Sequence, residues 1–100
     1  MAGEIQNKQL WRGLNNIGQS DWIKAAPVLG IDVVRSNKGT SHFINLRDPE
    51  IDPDDIRGLV STLTPNSHRQ ANEKIFKKVL GFCKGKGKSE DDIWVALGML

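Results

Sequence analysis

Apolar residues recur along this chain in two different periods, and the switches between them mark out the elements. Leu10, Leu14 and Ile17 stand at helical spacing with Trp11 beside them, so residues 5–17 read as a helix that Gly18 stops. Ser20 is placed to cap a second short helix over 21–29, with Asp21 at its electropositive start. Pro27 should end or kink that helix, and Gly30 closes it. The run Ile31-Asp32-Val33-Val34-Arg35 then reads as a strand, and 36–39 as a polar, glycine-containing hairpin connection. Residues 40–47 read as its partner strand, broken by Asp48-Pro49. The acidic stretch 50–55 reads as a loop, with a helical turn after Pro53. Residues 59–64 read as a third strand, ended by Pro65-Asn66.

The clearest element is a helix over 68–83. Ala71, Ile75, Phe76, Val79, Leu80 and Cys83 form one apolar stripe, while Lys74, Lys77 and Lys78 gather on another face. Gly81 weakens its last turn by about 1 kcal/mol relative to alanine. Lys84-Gly85-Lys86-Gly87-Lys88 reads as a mobile basic loop. Ser89 then caps a final helix over 89–98, with Glu90, Asp91 and Asp92 in its first turn and Ile93, Trp94 and Leu97 on its apolar side. The order is α(α)-β-β-β-α-α. Strands in one run with helices at both ends predict an α+β layer, a small three-stranded antiparallel sheet covered on one face by helices. One hundred residues with no internal repeat make a single domain, 1–100.

Composition narrows the classes further. The lone Cys83 excludes an internal disulfide and a cysteine-based metal cage, and fits a reducing cytoplasm. No apolar run approaches the roughly 20 residues of a membrane helix. Met1–Gln6 lacks the basic start and apolar core of a secretory signal, so no signal peptide is expected. The net charge of +2 conceals strong segregation: residues 48–58 carry −4, 59–88 carry +6, and 89–100 carry −3. Six lysines fall between Lys74 and Lys88. Such a patch raises the local concentration of polyanions, although a solvated helix face would look the same in sequence.

The candidate chemistry centres on Asn37-Lys38-Gly39-Thr40-Ser41-His42-Phe43, a turn opening into a strand with a histidine near its start. Histidine exchanges protons near neutral pH. Here it lies beside Lys38 and between Arg35 and Arg47, a cationic neighbourhood suited to a phosphodiester. Backbone N–H groups of the hairpin, with Gly39 and Ser41 among its residues, can reach phosphate. By alternation His42 also shares a face with Ile44 and Leu46, so a half-buried structural histidine is the competing reading. His68 opens the basic helix, where the dipole disfavours its protonated form. Lys74, Lys77 and Lys78 are candidate backbone contacts along RNA. Trp11, Trp22 and Trp94 sit on helices and are expected in the core. Ser41 lies in no nucleophile elbow, and Asp52, Asp54 and Asp55 lack the spacing of a calcium loop.

With these residues in view, the chain resembles the HicA-type toxins, the mRNA-cleaving half of HicA–HicB toxin–antitoxin systems. The resemblance covers roughly residues 20–83. It rests on "LGIDVVRSNKGTSHFINLRD", similar to the family's helix–strand–hairpin with a Gly-Ser-His strand start; on "LTPNSH" at 63–68; and on the basic amphipathic helix that follows. This chain has Gly39-Thr40-Ser41-His42, one residue longer than a plain Gly-Ser-His. The helices at 5–17 and 89–98 are additions to the family core. The resemblance implies a double-stranded-RNA-binding-domain-like fold and a metal-independent endoribonuclease with no cofactor, with His42 as its catalytic acid/base. It further implies RNA and a HicB-like antitoxin as partners, in a toxin–antitoxin hetero-oligomer or a homo-oligomer, within the cytoplasm. The residues alone leave two other functions open: a non-catalytic RNA-binding module, and a protein–protein interaction domain on the same fold.

Overall fold

The computed structural model describes residues 8–35, 44–52, 54–63 and 69–100, residue 69 by its backbone only. Among them run α1 (Lys8–Trp11), a 3₁₀ segment (Arg12–Asn16), α2 (Gln19–Val28), β1 (Asp32–Arg35), β2 (Ile44–Arg47), a 3₁₀ turn (Ile56–Gly58), β3 (Leu59–Leu63), α3 (Arg69–Gly85) and α4 (Glu90–Ala96). The fold is α+β, as the element order predicts. Its sheet is antiparallel in the order β1-β2-β3, with β2 in the centre. Leu46 faces Val33 on one side and Ser61 on the other, and Ile44 faces Leu63. A bulge interrupts the β2–β3 ladder, because Arg47 pairs with Leu59 and leaves Val60 as the extra residue. Alternation puts Ile44, Leu46, Ser61 and Leu63 inward, while Asn45 and Thr62 share the other face and bond through their side chains.

Helix boundaries correct the sequence reading in three places. The first helix does not continue to residue 17 as α-helix: from Arg12 it tightens into 3₁₀. Gly13, Asn15 and Asn16 are poor helix formers, and Leu14 and Ile17 are still both buried. Ser20 does not cap α2. The chain enters at Gly18, whose N–H donates to the Asp21 carboxylate at 2.8 Å, so Asp21 sets a start at Gln19 by reaching back three residues. Lys84–Lys88 is not simply a loop, since α3 runs through Gly81 to Gly85. It then ends as α2 and α4 do, on a glycine at positive φ followed by a bond to the carbonyl five residues back. The pairs are Gly30 with Ile31 N–H to Ala26 (2.9 Å), Gly87 with Lys88 N–H to Cys83 (2.8 Å), and Gly98 with Met99 N–H to Trp94 (2.9 Å).

All three tryptophans surround one ring. Phe76, fully buried on α3, stacks on Trp94 at 4.3 Å between centroids, and Trp11 and Trp22 meet it edge-on at 5.4 and 6.4 Å. Helix α4 thereby packs across α2 and α3 and joins the same core as the sheet. The inward stripe of α3 contains a residue that periodicity passed over. Asn72, not the half-buried Ala71, occupies the core position one turn before Phe76, with 0% exposure. Its Nδ2 donates to the carbonyls of Leu14 and Ile17, both at 2.7 Å, and its Oδ1 accepts the Trp22 indole N–H at 3.2 Å. The Trp94 indole N–H is satisfied likewise, by the buried Glu90 carboxylate at 2.8 Å.

Replacing Asn72 by alanine strands the Trp22 indole N–H and the Ile17 carbonyl, while the Leu14 carbonyl keeps the Ile17 N–H at 3.1 Å. At about 1–3 kcal/mol for each unbonded buried group, Asn72→Ala should remove at least about 2 kcal/mol of unfolding free energy in a urea titration. Asn72→Asp keeps an acceptor for Trp22 but turns a carboxylate oxygen toward two carbonyls, and should do no better. A loss below about 1 kcal/mol in both variants would mean that these groups find other partners.

Candidate nucleic-acid interface

Of the predicted site residues, Lys38, Gly39, Ser41, His42 and His68 lie outside the described residues. The other five are placed. Arg35 ends β1 and is exposed. It stands on the far edge of the sheet, with β2 between it and β3, so about 10 Å of sheet separates it from the strand that α3 packs against. Lys74, Lys77 and Lys78 are all exposed on α3, because the core claims the opposite stripe of that helix. Lys77 lies over the Trp11 ring, with Nζ 5.9 Å from its centroid. The structure therefore gathers the three lysines on one face and leaves Arg35 apart from them.

Arg47 has a different engagement. Its Nη2 donates to the backbone carbonyls of Asp52 (3.1 Å) and Asp55 (2.5 Å), closing the excursion between β2 and β3. Gly58 makes room for this, since a Cβ there would sit 2.7 Å from Arg47 Nη2 and 3.0 Å from Ile51 Cγ2. The aspartates of this segment shape the chain. Asp48, Asp52 and Asp55 each accept the N–H two residues on, from Glu50, Asp54 and Arg57, at 2.9 Å. Asp55 also holds the Arg57 guanidinium through Nε and Nη2, and this pairing lowers the Asp55 pKa and raises that of Arg57.

Two features escape sequence reasoning. The first is a clamp at the end of α3, where the Lys86 ammonium binds the Glu50 carboxylate and lies 3.5 Å from that of Asp48. The hydrogen bond to Glu50 raises the Lys86 pKa. One of the six clustered lysines is thus neutralised by the acidic segment, with Glu50 lying 36 residues before it, a pairing that only the segregated charge hinted at. The second is an open groove of about 500 Å³ between β3 and α3, walled by Arg57 to Thr62 on one side and by Lys78, Gly81 and Phe82 on the other. Cys83 offers no chemistry, because burial pushes its thiol up to about 11 and keeps it protonated at neutral pH. None of the described helices is long and apolar enough to cross a membrane.

If Arg47 serves the loop rather than a ligand, Arg47→Ala should raise amide exchange across 52–58. Arg47→Lys should not restore full protection, since the shorter lysine side chain stops short of the place from which Nη2 reaches both carbonyls. Unchanged exchange in both variants would free this guanidinium for other partners. Compared with models of protein families, with curated proteins and with solved structures, the chain matches none.

Proposed function

We propose that the chain is a metal-independent endoribonuclease of the HicA toxin type, acting on mRNA in the cytoplasm on a double-stranded-RNA-binding-domain-like core. The observation that carries the reading is the succession α2-β1-β2-β3-α3, the order the resemblance implies, ending in a helix whose three lysines the core leaves exposed. Lys74, Lys77 and Lys78 bind the RNA backbone by charge and shape. His42 takes the proton from a ribose 2′-OH as that oxygen attacks the adjacent phosphorus. It then returns a proton to the departing 5′ oxygen, leaving a 2′,3′-cyclic phosphate and a 5′-hydroxyl. A positioned imidazole supplies about 10²–10⁴-fold in such transfers. A HicB-like antitoxin silences the protein by covering the His42 surface.

A second reading, a non-catalytic RNA-binding module, draws on the burial of Ile44 and Leu46. Position 42 has the parity of those core-facing residues, and a histidine turned inward serves packing. One comparison separates the two. Under the first reading the chain cleaves RNA in EDTA, and His42→Ala binds RNA but cleaves at least about 10²-fold more slowly. Salt-sensitive binding with no cleavage by the unaltered chain would select the second reading, and equal cleavage by both proteins would remove His42 as the catalyst.

The lysine face has its own measure. Changing Lys74, Lys77 and Lys78 together to alanine should weaken RNA binding and flatten the log–log salt dependence by about 2. An unchanged slope would make that face a solvated surface only.

A further inference from the structure

We propose that the groove between β3 and α3 binds an extended, acidic peptide segment of a partner protein, added as a fourth strand to the free edge of β3. This goes beyond RNA cleavage and stands independently of it.

The sheet order makes β3 an edge strand. The Leu59 N–H closes the preceding 3₁₀ turn onto the Ile56 carbonyl, and among the described residues no backbone group of Val60–Leu63 bonds outside the β2 ladder. Such an edge presents a row of free N–H and C=O groups, a template for an incoming chain. Here the edge faces a groove rather than open solvent, with α3 as the opposite wall. Strand on one side and helix on the other is the setting in which added strands bind, with the main chain giving affinity and alternate side chains dropping into the groove. The five residues of β3 extend about 17 Å, enough for a peptide of about five residues. Leu59, Val60 and Phe82, all half-buried, supply an apolar floor.

Gly81 supports this use of the groove. It is exposed within α3, one turn before the helix ends, where glycine is the weakest helix former short of proline. A Cβ there would meet nothing within 4 Å, so no clash in this chain accounts for the missing side chain. What the glycine leaves is width.

Charge selects the occupant. Lys78 and Arg57 line the groove, and the Arg57 side chain is 84% exposed. Asp55 holds the Nε and Nη2 edge of Arg57 and leaves Nη1 for a ligand. The one acidic lining residue, Asp48, is 13% exposed and faces the Lys86 ammonium. An acidic chain with alternating apolar residues meets both charge and floor. A second copy of this edge would set Arg57 and Lys78 against their own likes. RNA suits the groove less well, since its walls offer main-chain groups and an apolar floor rather than open rings for stacking.

The test is fluorescence anisotropy of the full chain with a labelled Glu-Val-Glu-Val-Glu-Val-Glu peptide and its Lys-for-Glu counterpart. The acidic peptide should bind saturably and the basic one at least about tenfold more weakly. Gly81→Leu fills the groove with a better helix former, so it should bind the acidic peptide about tenfold more weakly at an unchanged or raised Tm. Gly81→Gln serves as a second blocking variant with the same expectation. RNA binding, measured in parallel, should be the same in these variants as in the unaltered chain. No saturable peptide binding, equal affinity for both peptides, or undiminished binding by the folded Gly81 variants would overturn the proposal. Loss of RNA binding in those variants in place of peptide binding would assign the groove to RNA and refute it. Failure of the nuclease reading leaves every arm of this experiment intact.

Discussion

The fold depends on one buried amide. Asn72 sits where the stripe of α3 calls for an apolar side chain, and it is tolerated there because all its contacts are made. Its two N–H groups go to the carbonyl of Ile17 and to that of Leu14, which also accepts the Ile17 N–H closing the 3₁₀ segment, and its oxygen takes the indole of Trp22. Three stretches of chain therefore meet in one geometry. An apolar residue of the same size would hold them together but would strand an indole N–H and the Ile17 carbonyl in a dry interior. Phe76, one helical turn on, then carries the aromatic packing, with Trp11, Trp22 and Trp94 around it. The amide sets the arrangement and the rings fill it.

The same economy governs charge. The acidic segment after β2 reads as a loop, yet much of its charge is used within the chain. Its aspartates cap their own turns, Arg47 ties two of its carbonyls to the end of β2, and Lys86 holds Asp48 and Glu50 from the end of α3. Exposed pairs of this kind contribute little stability each, but they decide which cations remain for a ligand. Lys74 and Lys78 make no ion pair among the described residues. Lys77 rests on Trp11, and Lys86 is taken up. The exposed cations left for a ligand therefore include Lys74 and Lys78 on the outer face of α3.

Much of this was legible from the residues. The three strands, the long basic helix and the Ser89 cap announce themselves through local periodicity and local bonds, and the structure places them within a few residues. The misses share a cause. Periodicity passed over Asn72 because its partners are 50 to 58 residues away. Glu90 looked like a helix-start charge and is also the acceptor for a buried indole. Arg47 looked like a phosphate ligand because its loop partners are main-chain oxygens, which every residue has. Gly81 looked like a weakness because the space beside it belongs to another element.

Sequence alone therefore determined the succession of helices and strands, the face each helix turns inward, and the segregation of acidic from basic stretches, since these follow from the spacing of neighbours along the chain. Tertiary structure decided which polar group enters the core, which charges cancel, and where an open strand edge meets a helix. Those outcomes depend on residues far apart in the chain arriving at one place, and no local period records that meeting.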